Sequence, residues 1–508
     1  MKKIMKKISG ALCAFVLMAS LVWVNAATNE ENFVYDMDYV TGLQTINPST
    51  FSNFSIIQDD YMSSSYNDVA KIPAEYDFTP RYVEGKTTIS AFGLENNRDI
   101  SGSESSGRTD LIGFGLNGVN TNKAGEFGFL FSNVGTYQGK EIDMKVTVKD
   151  FGLKTNGTNQ LIAFVAKTEL AIMLRGLLYA STEYTFYEHG TNTPIAVKGF
   201  MTDADIDWTQ GIIYNNNQIK QGYIANDTRL KYKDMPGNKT LIYYYPDNCE
   251  YEGLISSFVD GTCNYNEDRG QVYDNGVFWS TKAMFTYAFE GTSFSKTMVN
   301  NDHRLNSVTE RILASYALTA VEPSSYKTIS DKDETNVTNN TLSSKDEEFT
   351  YRVSEYLPEL APTYYYTSYA LTDTVDNRLD IISAKVYNEA GDELSDLFDI
   401  VTTNNKITAT AKNTSVESFY GQGYILEIKV KIKDSVEVDG SIELKNVGAT
   451  IINGKETPTN EVTTKYTPET VTVPATDAFI PLLISCIASL LILIGITGYY
   501  FANKRKLV

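Results

Sequence analysis

Apolar and polar residues alternate with a period of two along much of this chain, and no long helical pattern competes outside two terminal apolar segments. Ile142, Met144, Val146 and Val148 fall on one side of an extended segment, with Asp143, Lys145 and Thr147 on the other. Leu426, Ile428, Val430 and Ile432 alternate with Glu427, Lys429 and Lys431, and Ile312, Ala314, Tyr316, Leu318 and Ala320 are spaced in the same way. Successive side chains of a strand point to opposite faces, so such a segment buries one face and wets the other. The 34 Tyr and 24 Phe, with frequent Thr, Val and Asn, suit strands and turns. Residues 161–178 are apolar almost throughout and read as buried strands. The expected fold class is all-β, with Ig-like or adhesin-type β-sandwich domains in tandem.

The two ends are different in kind. Residues 1–26 carry Lys2, Lys3, Lys6 and Lys7, then an apolar stretch, then Val24-Asn25-Ala26, the pattern of a secretory signal peptide. Ala478 to Phe501 contains no charge and is followed by Lys504-Arg505-Lys506. A bilayer core takes roughly 20 apolar residues of helix. A basic cluster behind such a run marks the cytoplasmic side. Residues 478–502 are therefore expected to form one transmembrane helix, with 503–508 as a cytoplasmic tail and everything before it on the extracellular face.

Charge and residue usage narrow the function. The chain has 44 basic and 63 acidic residues. Seven of the basic ones lie in the terminal segments, which leaves 37 against 63, or −26, outside the cell. That balance argues against nucleic acid as a partner. Of the four cysteines, Cys13 and Cys486 fall in the terminal segments. Cys249 and Cys263 remain, close together in an oxidising compartment, where a disulfide and two free thiols are both open. His189 and His303 are the only histidines, and His189, in Tyr187-Glu188-His189-Gly190, reads as a turn residue. Histidine-based nucleophilic catalysis and zinc chemistry lose their usual ligands.

The strand pattern breaks at Glu322-Pro323-Ser324-Ser325, and a polar stretch follows. The expected organisation is a large domain over 27–320, a smaller one over 321–467, and a Thr/Pro-rich spacer over 468–477.

The smaller domain holds a run of motifs: Tyr326-Lys327-Thr328-Ile329-Ser330-Asp331, Glu348-Phe349-Thr350-Tyr351-Arg352-Val353, Leu371-Thr372-Asp373-Thr374-Val375, Tyr420-Gly421-Gln422-Gly423-Tyr424 and Glu443-Leu444-Lys445-Asn446-Val447-Gly448-Ala449. In this order they resemble the D2-type isopeptide-forming domain of Gram-positive fimbrial and adhesin proteins. The resemblance implies a lysine, Lys327, joined to an asparagine, Asn446, with Asp373 as the assisting acid and no cofactor. Asn460 is the alternative acceptor. Strand parity puts Lys327 with Ile329, Asp373 with Leu371 and Tyr369, and Asn446 with Leu444 and Ile442, so all three should point inwards. The family pattern has Ala two residues after the asparagine. Here Ala449 follows at three, and a bulge at Gly448 is the expected accommodation.

The segments Val134-Gly135-Thr136-Tyr137-Gln138-Gly139-Lys140-Glu141-Ile142-Asp143 and Thr202-Asp203-Ala204-Asp205-Ile206-Asp207 resemble the ligand-facing sandwich that often precedes such domains in surface adhesins. Asp203, Asp205 and Asp207 alternate, which suits either a calcium site or a solvated strand end. Val473-Pro474-Ala475-Thr476-Asp477, the apolar run and the basic tail resemble a sortase sorting signal of the LPxTG type, with Val for the leading Leu and Asp for the final Gly. That resemblance implies sortase as a partner, with peptidoglycan or pilin subunits as the acceptor. A permanent membrane anchor is the other reading.

Together these features describe a cell-surface adhesin or minor fimbrial protein, not an enzyme. A stiff stalk would hold a distal domain that meets a host or surface ligand, with glycans among the candidates. A cell-surface glycan-active enzyme and a structural coat protein without a ligand are the competing classes.

Overall fold

The computed structural model describes residues 42–60, 65–94, 96–99, 111–115, 123–153, 162–166, 170, 172–175, 177–204, 206, 210–244, 281–300, 307–312, 318–468 and 479–504. The signal peptide, the sorting-like motif Val473 to Asp477, Cys249, Cys263, His303, Asp205 and Asp207 lie outside the described residues.

The described chain before residue 479 is built from strands in five sheets, with only short 3-10 turns between them. A ten-stranded and a nine-stranded sheet hold the strands up to residue 312. A four-, a three- and a five-stranded sheet hold those from residue 326 to 466. Nearly all pairings are antiparallel. Ser55–Asp59 with Ile219–Ala225 and Asn339–Leu342 with Val462–Tyr466 are parallel. Residues 161–178 contribute the strands Ile162–Ala166 and Ile172–Arg175 and the start of Leu177–Glu188.

The two large sheets face each other across an aromatic core. Tyr184 and Phe294 stack at 4.8 Å between ring centroids, and Phe289 meets Phe294 at 4.7 Å. Tyr184 and Phe294 are paired neighbours within the ten-stranded sheet, whereas the Phe289–Phe294 contact crosses between the sheets beside a corner at Gly291, whose φ of +143° lets the chain leave Phe285–Gly291 in one sheet and enter Ser293–Asn300 in the other. Ile142, Met144, Val146 and Val148 are all fully buried in this core.

In the smaller domain the strand Phe349–Leu357 alternates buried and half-buried residues along its whole length. Leu426, Ile428, Val430 and Ile432 are fully buried on Gln422–Ile432.

The connection between the two blocks is packed rather than exposed. Leu318, Thr319 and Ala320 are buried, and Ile72 pairs with this segment by donating to Ala320 and accepting from Glu322. Tyr66, Ile72, Tyr223 and Met284 share one apolar cluster with Tyr366, Tyr369 and Val353. Arg81, almost completely buried, forms a two-pronged ion pair with Glu389 across the joint, and its guanidinium lies 3.8 Å from the Tyr356 ring centroid. A cavity of about 420 Å³ runs beside this bridge, lined by Asp77, Arg81, Tyr326, Glu355, Tyr356 and Glu389 among others.

Phe479–Lys504 is the one α-helix among the described residues. Its segment Leu483–Phe501 is long and apolar enough to cross a membrane, with a mean hydropathy of 2.0. Pro481 sits in the first turn, where its missing N–H costs no helical hydrogen bond. Cys486 lies on this helix as a free thiol.

Candidate functional site

Lys327, Asp373 and Asn446 come from three different sheets of the smaller domain. Lys327 lies on the edge strand of the four-stranded sheet, Asp373 on the central strand of the five-stranded sheet, and Asn446 at the end of an edge strand of the three-stranded sheet. All three are buried, Lys327 completely. The Lys327 ammonium is ion-paired with Asp373 Oδ2. It also lies 4.7 Å from the centroid of the Tyr351 ring, which covers it on one side. Asn446 lies beside both Asp373 and Tyr351: burial raises the carboxyl and the phenol, and the asparagine amide pulls each back a little. Neither Asn446 Oδ1 nor Nδ2 is engaged in a hydrogen bond, and Asp373 Oδ1 is also without a partner.

The electrostatics follow from burial. Loss of water lowers the Lys327 pKa, and Asp373 only partly opposes the shift. The same burial raises the Asp373 carboxyl, with Lys327 and then Asn446 pulling the other way. A low-dielectric site thus brings the ion pair towards a neutral amine and a neutral acid.

Asn460 has another task. Its Oδ1 accepts the Lys327 main-chain N–H at 2.8 Å, and its Nδ2 donates to the Lys327 carbonyl at 3.0 Å. Its amide is engaged with the backbone of Lys327, whereas the ammonium faces Asp373.

Gly448 corrects an expectation. There is no bulge within one strand. The chain changes sheets at Val447: Asn446 pairs with Val462 in the three-stranded sheet, and Gly448 pairs with Asp373 in the five-stranded one. A Cβ at residue 448 would overlap Val353 Cγ2 and stand 3.5 Å from Lys327 Nζ. Glycine lets this crossing pass directly over the lysine. The extra residue before Ala449 belongs to the sheet change.

Asp203 is not on the surface. It is fully buried in the larger domain and ion-paired with Lys296 at 2.6 Å, so it is neither a solvated strand end nor one ligand of an exposed calcium site. Among the described residues, Asp331, Asp333 and Glu347 hold carboxylate oxygens within 4.8 Å of one another, a donor set suited to a hard cation. Several of these oxygens already brace local turns: Asp331 Oδ1 accepts from Asp333 and Glu334, and Glu347 Oε2 from Ser343.

His189 does lie in a turn, but its ring is also held. Nδ1 is 2.7 Å from Asp143 Oδ1 and 3.4 Å from Ser132 Oγ. A hydrolytic relay needs the acid and the nucleophile at opposite ring nitrogens. Here both meet Nδ1, so the cluster fixes the turn instead.

Sequence reasoning missed Tyr351 as a wall of the site, although it sits in a quoted motif and shares a strand face with Phe349 and Val353. It also missed Lys296, whose partner is more than ninety positions away in the chain.

Residues 325–466 match the family model of the cell surface antigen I/II C2 terminal domain. No curated protein matches the chain. Among solved structures, the chain is similar to the N-terminal domain of the Streptococcus gordonii adhesin Sgo0707, at 13% identity over 82% of this chain and 98% of that one, with a TM-score of 0.36. It is similar to BcpA, the major pilin subunit of Bacillus cereus, at 23% identity over 29% of this chain and 41% of that one, with a TM-score of 0.24. The C-terminal domain of the Streptococcus pyogenes antigen I/II-family protein AspA aligns at 13% identity over 56% of this chain and 92% of that one, with a TM-score of 0.25.

Proposed function

We propose that this protein is a Gram-positive surface adhesin or minor fimbrial protein whose smaller domain closes an isopeptide bond between Lys327 and Asn446. The match of residues 325–466 to a cell-surface antigen domain supports the surface role. The observation that carries the crosslink is the dry Lys327–Asp373 pair with the Asn446 amide beside it, held by no hydrogen bond of ordinary geometry.

The chemistry balances without a cofactor. A proton passes from the Lys327 ammonium to Asp373, leaving a neutral amine. Asp373 then donates a hydrogen bond to Asn446 Oδ1, and Nζ attacks Cγ. The Nζ–Cγ bond forms and the Cγ–Nδ2 bond breaks. Nδ2 departs as ammonia, carrying a proton that Nζ gives up through the Asp373 carboxyl. Prior placement of the groups in the folded core supplies most of the rate.

In this reading residues 321–467 are the stalk. A covalent link between Lys327 and Asn446 shields the chain between them from extension under load. The larger domain is distal and meets the ligand. The helix Phe479–Lys504 spans the membrane, with Val473 to Asp477 offered to sortase before transfer to peptidoglycan or a pilin subunit.

Intact-mass measurement under denaturing conditions, with peptide mapping, tests the crosslink. A folded chain should lack one ammonia, with Lys327 and Asn446 in one branched peptide, and Asp373→Ala should restore the missing mass. A folded wild-type chain of full mass would overturn it. Cell-wall digestion tests the anchor: release of a covalently tagged product supports sorting, and exclusive recovery in the membrane fraction supports a permanent anchor.

A further inference from the structure

The cavity of about 420 Å³ at the joint between the domains is walled by both of them, and its charges do not balance. The wall holds three cations, and each already has a carboxylate partner in the same wall. Arg81 pairs with Glu389, Lys86 with Glu141 at 2.8 Å, and Arg352 with Glu427 at 2.6 Å. Two carboxyl groups are left over, Asp77 from the larger domain and Glu355 from the smaller one. Neither has a cationic partner among the described residues.

The two leftover groups meet at one residue. Ser324, in the segment that links the domains, donates its hydroxyl to Asp77 Oδ2 at 3.0 Å, and its main chain supports Glu355. Glu355 is only 5% exposed, and its Oε2 accepts no hydrogen bond of ordinary geometry. Burial and then the Asp77 charge raise the Tyr326 phenol, so that side chain stands near the same carboxyl. A buried carboxylate without a cation is costly. A wall that pairs all of its own cations and still holds two such groups lacks positive charge.

The shape of the deficit selects the ligand. A hard metal ion takes six or more oxygens. The one cluster of three close acidic groups among the described residues, Asp331, Asp333 and Glu347, does not include Asp77 or Glu355. A planar guanidinium is matched to the two oxygens of a single carboxylate. An ammonium carries three donors on one compact head, enough for two carboxyls and the Ser324 hydroxyl oxygen together. The rest of the cavity, walled in part by Tyr326 and Tyr387, has room for an aliphatic stem.

We propose that the joint is a binding site for a primary ammonium on an aliphatic stem, held between Asp77 and Glu355. A free diamine and the lysine side chain of a partner protein share this chemistry. Because each domain supplies one carboxyl, the bound ammonium also ties the domains together.

Proton linkage gives the site a signature. Burial raises Glu355 to about 7 and Asp77 to about 6, so the pair holds about one proton at about pH 6.5. The phenols that face them are Tyr66, Tyr366 and Tyr369 at Glu355, and Tyr137 and Tyr326 at Asp77. Burial raises all five, so they stay protonated in this range. Glu322 and Glu290 act on the same phenols and bring no cation. An arriving ammonium favours the ionised carboxyls and expels their shared proton.

Calorimetry on the full-length chain in detergent tests the site, with cadaverine as the free diamine, Nα-acetyl-lysine amide as the side-chain mimic and glucose as an uncharged control. The expected result is saturable binding of an amine with release of about one proton at about pH 6.5, read from buffers of different ionisation enthalpy. Affinity should rise about tenfold from about pH 5.5 to about pH 7.5. Asp77→Asn and Glu355→Gln keep the side-chain volume and remove a buried charge, and each should weaken binding about tenfold. Tighter binding of cadaverine supports a free diamine as the occupant, and tighter binding of the lysine amide supports a protein side chain. Absence of binding by both amines at millimolar concentration would overturn the proposal. So would amine binding that neither substitution changes, or glucose binding without proton release in place of the amines. None of these readouts involves Lys327, Asp373 or Asn446, so the result is independent of the crosslink.

Discussion

Asn460 grips the main chain of Lys327 from both sides, accepting its N–H at 2.8 Å and donating to its carbonyl at 3.0 Å. The side-chain amide thereby takes the place of a neighbouring strand at Lys327, on the edge of Tyr326–Ser330 away from Phe349–Leu357, where two residues further on Ile329 bridges to Val337. It fixes the backbone from which the Lys327 ammonium projects. Asn460→Ala should cost about 1–3 kcal/mol, since it leaves the backbone donor and acceptor of Lys327 unpaired. Urea unfolding measures this. The same variant should slow formation of the Lys327–Asn446 bond without abolishing it, read as a mixture of crosslinked and open species by mass.

The joint between the domains depends on Arg81 and Glu389. Arg81 is almost completely buried and stacks on Tyr356. Gly135 and Gly423 make room on either side: a Cβ at 135 would overlap the Arg81 guanidinium, and one at 423 would stand 2.5 Å from Glu389 Cγ. Arg81→Ala leaves the Glu389 carboxylate, whose side chain is 14% exposed, without its partner, and because that carboxylate keeps some contact with water the loss should be about 3 kcal/mol, the lower end for a buried pair. Replacing both residues with leucine should recover much of it. Limited proteolysis near residue 321 should accelerate in the single variant and much less in the double one.

Gly448→Ala tests the crossing over the lysine. Its added methyl would overlap Val353 and press towards Lys327 Nζ. Overpacking of this kind costs about 1–3 kcal/mol. The variant should also yield less crosslinked product, because the displaced Val447–Gly448 backbone carries Asn446 with it. Thermal unfolding and intact mass read the two effects separately.

The same joint responds to pH. Burial pushes the Glu355 carboxyl from its ordinary 4.5 up to about 7, with the Thr450 hydroxyl and the Ser324 backbone only partly opposing. Burial likewise raises Asp77 to about 6 against its hydrogen bond from Ser324. A carboxyl raised in the folded state binds its proton more tightly there than in the unfolded chain. Its contribution is therefore complete below the ordinary value and is lost as pH rises through the folded one. For Glu355 the loss amounts to about 3 kcal/mol between pH 4.5 and 8. Glu355→Gln should flatten stability across that range. Thermal melts of the wild type and the variant at several pH values provide the comparison.

Much of the fold was legible because strand parity is a local property. Leu426 to Ile432 and Ile142 to Val148 are buried on the alternate positions that their spacing requires. Ile329, Leu371 and Leu444 mark the inward faces that Lys327, Asp373 and Asn446 share. The site was less legible at its edges. Tyr351 was visible only as an aromatic in a motif, since nothing local says which inward residue of another strand will cover it. The spacing from Asn446 to Ala449 suggested a bulge. The actual cause is a change of sheet, which depends on partners elsewhere in the chain, Val462 and Asp373. Asp203 was misplaced for a related reason. Alternating aspartates look wet from sequence, and only a distant lysine allows one of them to be buried.

The sequence by itself determined the strands, their inward faces, the strongly acidic exterior and a C-terminal segment apolar enough for a membrane. These follow from periodicity, charge and length, which neighbouring residues settle among themselves. The tertiary structure alone decided which inward groups meet. Three sheets converge on Lys327, and two sheets close on Lys296 and Asp203. Register between strands far apart in the chain is set by the packing of whole faces. That packing is what removes water from these lysines and sets each one against the carboxylate it pairs with.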